Sequence, residues 1–151
     1  MTALTDAWQA ALAAQQQAVF GYGVLGPHLA GADKPRALAA QMSHEATRDS
    51  ISDAMARSGI TPGKAPADYP SLYPVNDSAA ALKLAARLED DCATAWRVLY
   101  ATAATDSSHS TADALARRRE AQAGLSAAAV AAARWRKIDK VVPASRAFPG
   151  L

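Results

Sequence analysis

Gly59-Ile60-Thr61-Pro62-Gly63-Lys64-Ala65-Pro66-Ala67-Asp68-Tyr69-Pro70-Ser71-Leu72-Tyr73-Pro74-Val75-Asn76 is the stretch whose reading decides the fold of this 151-residue chain. Pro62, Pro66, Pro70 and Pro74 each lack an amide hydrogen and are rejected by helix interiors. Gly59 follows Ser58 at the place where a glycine takes the left-handed conformation that ends a helix. A link of roughly 18 residues is longer than most connections in a compact domain. Its Tyr69, Leu72, Tyr73 and Val75 are apolar enough to lie along a surface, so the link is read as packed.

Helical periodicity flanks the link on both sides. Upstream, Leu4, Trp8, Ala11, Leu12, Gln15, Val19, Tyr22, Leu25 and Leu29 follow three- and four-residue steps and form one stripe of a first helix, from about Thr5 to His28. Gly21, Gly23 and Pro27 sit awkwardly there. Either a neighbouring backbone approaches closely at the glycines, or the helix stops near Phe20. Asp33 caps a second helix with Pro35 in its first turn, and that helix ends at Ser58. Downstream, Asn76-Asp77-Ser78 opens a third helix to about Ala104, and Asp106-Ser107-Ser108 opens a fourth to about Lys140, before Pro143. Short links make each pair an antiparallel hairpin, whereas the long link can travel the length of a helix. The expectation is all-α: a ferritin-like four-helix bundle over residues 1–142, built as two antiparallel hairpins joined by a long crossover loop. Residues 143–151 follow as an extended tail.

Composition narrows the function classes. The chain is 50% hydrophobic, 20% charged and 6% aromatic, and alanine supplies roughly a quarter of it, which favours helix and excludes disorder. A net charge of +2 creates no strong field for nucleic acid or an acidic membrane. One cysteine excludes an internal disulfide framework and a Cys-based zinc cluster. The opening Met1-Thr2-Ala3-Leu4-Thr5-Asp6 lacks the blocks of a signal peptide, and no apolar run reaches spanning length. A cytoplasmic protein without membrane association is expected.

Each helix carries polar residues near its midpoint on its apolar stripe. These are Gln15 in the first; Gln41, His44, Glu45 and Arg48 in the second, flanked by Leu38, Met42, Ile51 and Met55; and Glu89 in the third. The fourth has Gln122, on the face of Leu115, Leu125 and Ala129. Midpoints of antiparallel helices share a height, so these groups are expected to meet in one layer. Di-metal bundles put a Glu from two helices and Glu-x-x-His from the other two in that layer. Here Gln15 stands for the first Glu, Gln41-x-x-His44 for the first pair, Glu89 matches, and Gln122-x-x-Leu125 stands for the second pair.

Three segments, Leu12 to Gly26 (Leu-Ala-Ala-Gln-Gln-Gln-Ala-Val-Phe-Gly-Tyr-Gly-Val-Leu-Gly), Ser43 to Asp49 (Ser-His-Glu-Ala-Thr-Arg-Asp) and Ala132 to Arg136 (Ala-Ala-Arg-Trp-Arg), carry a resemblance. Through them the chain resembles an uncharacterised bacterial family of ferritin-like domains, over nearly its whole length. Members commonly show Glu-His where Gln15-Gln16 stand here, which implies a lost ligand pair. The resemblance implies a fold and no activity.

Paired divalent ions need several anionic ligands, and glutamine offers only a neutral carbonyl. The first expectation is therefore a non-enzymatic binding or assembly domain without a cofactor. In it the guanidinium of Arg48 bridges Glu45 and Glu89, and Gln15, Gln41 and Gln122 complete a buried polar network. The alternative is a redox or iron-handling protein holding iron or manganese on His44, Glu45 and Glu89. Arg117-Arg118-Arg119 and Arg134-Trp135-Arg136-Lys137 are read as a solvated basic face complementing the helix dipole, with nucleic-acid stacking on Trp135 as the lesser reading. His28 and His109 are read as solvated turn histidines and Cys92 as a buried inert thiol. No Gly-x-Ser-x-Gly elbow or phosphate-binding glycine loop is present. Leu84, Leu88, Ala95 and Val98 form a second apolar row on the third helix, to be covered by Tyr69 and Tyr73 or by a second copy in a homodimer.

Overall fold

The computed structural model describes residues 2–106 and 110–151. Four long helices account for most of it, with no strand among the described residues. Helix α1 spans Ala3–Leu25, α2 Asp33–Arg57, α3 Ser78–Thr105 and α4 Thr111–Ile138. None is long and apolar enough to cross a membrane.

Local chemistry sets the boundaries. Thr2, Asp77 and Ser110 cap α1, α3 and α4 by accepting the amides of Thr5, Ala80 and Asp113. Asp33 does not cap α2. It lies inside the first turn, where its carboxylate takes Arg36 Nη1 at 2.6 Å, and the N-cap position falls on Ala32. Ser107, Ser108 and His109, expected near the fourth helix start, lie outside the described residues. Gly59, at φ +72°, ends α2 in the left-handed conformation expected of it.

The first helix runs unbroken past its glycines to Leu25, then adds a 3-10 turn at Gly26–His28. Gly21 has a packing reason. A Cβ there would lie 2.5 Å from Leu88 Cδ1, so the missing side chain lets α3 press against the α1 backbone.

Cross-helix contacts give the directions. Tyr22 meets Glu89 and Ala14 meets Cys92, so α1 and α3 are antiparallel. Trp8 lies under Arg117 and Tyr22 meets Trp135, so α1 and α4 are parallel. The link after α2 climbs α1. Gln9 donates to Thr61 O and accepts from Gly63 N, Gln16 Nε2 donates to Gly63 O, and Phe20 packs on Tyr69 at 5.1 Å between ring centroids. Arg87 Nη1 then holds Ser71 O at 2.9 Å as the chain reaches α3.

Alanine carries much of the core, which moves the buried stripes from where leucines placed them. In α4 the buried side is Ala121, Ala128, Ala132 and Trp135, whereas Leu115 is 41% exposed and Gln122 faces solvent. In α2 the buried side is Ala37, His44, Ile51 and Met55, leaving Leu38 and Met42 outside. Helices that approach closely leave room only for Ala at the contact. The second row of α3 is largely covered within one chain, since Leu84 and Leu88 are buried and only Val98 is open. That row therefore gives no reason for a second copy.

The basic residues of α4 are not a uniformly solvated face. Arg117 lies 4.0 Å over the Trp8 ring and pairs with Glu120, and Arg118 donates to Tyr100 OH. Arg136 is buried against Asp90, and Trp135 is only 4% exposed, which denies it to a stacking base. Residues 143–151 fold back over α3 and α4. Arg97 Nε donates to Gly150 O at 2.7 Å, and Arg146 reaches Asp90 at 3.3 Å.

Candidate functional site

Where the four helices meet, five side chains form one hydrogen-bonded chain. Trp135 Nε1 on α4 donates to Tyr22 OH at 2.7 Å, and Tyr22 donates to Glu89 Oε1 on α3 at 2.6 Å. His44 Nε2 on α2 donates to the same oxygen at 3.1 Å, and His44 Nδ1 lies 2.7 Å from Gln15 Oε1 on α1. The His44 and Tyr22 rings stack at 5.5 Å. Gln15 and Tyr22 are seven residues apart, so two turns of α1 present both to the same interior.

The donor chemistry orients the chain. An indole N–H can only donate, so the Tyr22 oxygen accepts from Trp135 and its own proton goes to Glu89. His44 faces the Glu89 carboxylate through Nε2 and the Gln15 side-chain amide through Nδ1, so one ring links α1, α2 and α3. Burial first, and then the negative charge of Glu89, pushes the Tyr22 phenol far above its ordinary 10.0, so it stays a donor. The same two causes push the buried Cys92 thiol up.

Of the residues expected in the layer, Gln15, His44 and Glu89 converge. Gln41 instead bonds Glu45 at 3.1 Å along α2, and neither reaches Glu89. Arg48 turns outward to Asp49, which it contacts at 2.8 Å, so it bridges no buried carboxylate. A long guanidinium one turn along a half-exposed helix face finds an adjacent carboxylate in water and avoids the desolvation of a buried position. Gln122 is on the solvent side of α4. Tyr22 and Trp135 take the places assigned to Arg48 and Gln122. Their signal in the sequence was position alone: Tyr22 two turns from Gln15, and Trp135 two turns from Ala128.

A metal centre does not fit this donor set. Among the described residues, no three His, Cys, Asp or Glu side chains converge. Glu89 is the sole carboxylate of the node, and both His44 nitrogens are already engaged with oxygen atoms. Paired hard cations would face one negative charge and two neutral or cationic neighbours.

Above the node, α2 stands away from α4, and the space between them is a cleft of about 830 Å³. Gln15, His44 and Glu89 form its inner wall, and Trp96 and Trp135 also line it. Its sides are alanines of α2 and α4, and Arg36, Arg134 and Lys137 lie toward one end. A volume of that size falls in the range that small-molecule pockets span.

The domain of unknown function DUF4439 matches residues 7–151. The fold is similar to the crystal structure of a conserved hypothetical protein, rv2844, from Mycobacterium tuberculosis. That match has a TM-score of 0.79 and 28% identity, and covers 90% of this chain and 96% of that one. No curated protein matches the chain.

Proposed function

Because this chain belongs to the DUF4439 family, which carries no assigned activity, the site itself must supply the reading, and we propose a non-enzymatic, ferritin-like binding domain. In this reading the position of a di-metal layer is occupied by the Trp135–Tyr22–Glu89–His44–Gln15 network. Two features support the ferritin-like placement: α1 runs antiparallel to α3, and the link after α2 follows α1 from Gln9 to Phe20. The observation that carries the function is that the node links side chains of all four helices directly beneath an open cleft. Such a network holds four helices in register without supplying a nucleophile, and the cleft it floors is free to take a ligand.

The test is elemental analysis of tag-free protein together with unfolding measured with and without iron(II) or manganese(II). The expected result is substoichiometric metal and an unchanged midpoint. A ligand that binds only the native state stabilises it by mass action, so a midpoint rising with metal concentration overturns the reading in favour of a divergent metal site.

A further inference from the structure

We infer that the α2–α4 cleft binds an elongated apolar acid that carries a hydroxyl along its body. This rests on the binding reading above and adds the ligand's chemistry.

The cleft has a direction. Its lining runs from Arg36 to Thr47 on α2 and from Gly124 to Ile138 on α4, a length of roughly 16–21 Å at the rise of a helix. Positive charge gathers at one end. Arg134 and Lys137, both exposed, have no ion pair among the described residues, and Arg36 stands opposite them with Asp33 as its partner. The other end is Thr47, Trp96, Gly124 and alanine, with no charge. An elongated ligand therefore places an anionic head at Arg134 and Lys137 and runs its apolar body toward Trp96.

Glu89 supplies the second requirement. It is 2% exposed, and both bonds it accepts, from Tyr22 and His44, go to Oε1. Among the described residues nothing donates to Oε2, yet Oε2 is not among the fully enclosed unpartnered atoms, and Glu89 lines the cleft. A nearly buried carboxylate oxygen left open to a cavity needs a donor, and a ligand hydroxyl lying along the wall is one. The carboxylate also bars the ligand's own anionic head from the floor, which reinforces the polarity set by the cationic end.

Tryptophan fluorescence of the intact chain reads the binding, because Trp96 and Trp135 line the cleft. The probes are a laurate hydroxylated at mid-chain, laurate, lauryl alcohol and laurylamine, each below its micelle concentration. Laurate should bind about tenfold tighter than lauryl alcohol, with the mid-chain hydroxylaurate tighter still. Arg134→Ala with Lys137→Ala should erase the advantage of laurate, whereas Arg119→Ala, on exposed surface outside the cleft, should leave it intact. Equal binding of laurate and lauryl alcohol, or tighter binding of laurylamine, overturns the acid while the binding domain stands. A hydroxyl without effect overturns the role given to Glu89 Oε2. If no probe binds, and the cleft-blocking Ala127→Trp changes nothing, the acid and the binding domain fall together.

Discussion

The seams around α3 and the space between α2 and α4 are built from the same small residues and come out opposite. At the α1–α3 seam, Gly21 receives Leu88, and at the α3–α4 seam, Gly124 receives the Trp96 ring, 2.3 Å from where a Cβ would stand. Between α2 and α4, Ala39, Ala40, Ala127 and Ala131 face one another across a void. A small residue closes a seam when the facing helix supplies a large side chain to fill it, and otherwise leaves a cavity. The polar node sits where the closed seams meet the open one, so it is both the floor of the cleft and the tie between α2 and the rest.

The largest expected effect breaks that tie. His44→Leu leaves Glu89 buried without its imidazole partner and removes the side-chain hydrogen bonds by which α2 reaches Gln15 and Glu89, at a cost of about 3–5 kcal/mol in denaturant unfolding. Combining it with Glu89→Leu should recover much of the loss, because the orphaned charge has gone. Additive losses in the double variant would mean that the pair is not coupled and that α2 is held by packing alone.

Tyr22→Phe comes next. It removes the hydroxyl that donates to Glu89 and accepts from Trp135, for about 1–3 kcal/mol. It also carries a pH signature. Burial and Glu89 raise the native Tyr22 pKa above its unfolded value near 10.0, so the native state holds the proton longer. Its stability contribution is complete below pH 10 and is lost as pH rises beyond it. The wild type should therefore lose more stability than Tyr22→Phe between pH 9 and 11, and parallel curves would place the phenol in contact with water.

Smaller again is the direct contrast of closed and open seams on α4. Gly124→Ala gains about 1 kcal/mol of helix propensity but drives a methyl into a rigid indole, where overpacking costs about 1–3 kcal/mol, so a modest net loss is expected. Ala127→Leu, one turn along and facing the void, should stay within about 0.5 kcal/mol. Thermal unfolding of both settles whether the cleft is open space, since a loss at Ala127 equal to that at Gly124 would close it.

These contrasts also explain what the sequence made legible. Prolines and caps around Gly59–Asn76 exposed the long link and the start of α3, because each is a local effect. Gln15, His44 and Glu89 stood out as polar groups on apolar stripes. Gln122 was misplaced because a helix as rich in alanine as α4 has a flat hydrophobic signal, and a one-residue error in its phase rotates the face by about 100°, whereas Arg48 was misplaced because its long side chain finds Asp49 in solvent. Leu115 and Leu125 then drew the stripe away from Ala121, Ala128 and Trp135. Tyr22 and Trp135 passed as core or stacking aromatics, since their polar atoms are silent in a periodicity. The cleft was invisible because it depends on which side chains are missing across two helices that never adjoin in sequence.

The smallest effect tests the edge of the closed α1–α3 seam. Asp91 accepts Gln17 Nε2 at 3.2 Å, and Arg87 stands 3.8 Å away. Burial, with help from Asp90, raises its pKa above the ordinary 3.8 despite Arg87. A raised carboxylate pKa means that the native state binds the proton more tightly than the unfolded chain. The ionised form therefore costs stability as pH climbs through the window above 3.8. Asp91→Asn removes that cost while its amide oxygen can still accept from Gln17. A gain is expected at neutral pH, fading to nothing as the solution is acidified below the ordinary carboxylate value. Because the side chain is 46% exposed, solvent screening keeps the gain within about 0.5 kcal/mol. Urea unfolding at pH 7 and pH 3 reads both the sign and its disappearance. A loss at pH 7 would show that Arg87 and Gln17 hold the ionised carboxylate more strongly than burial disfavours it, and that the closed seam is clamped at its rim as well as packed at Gly21.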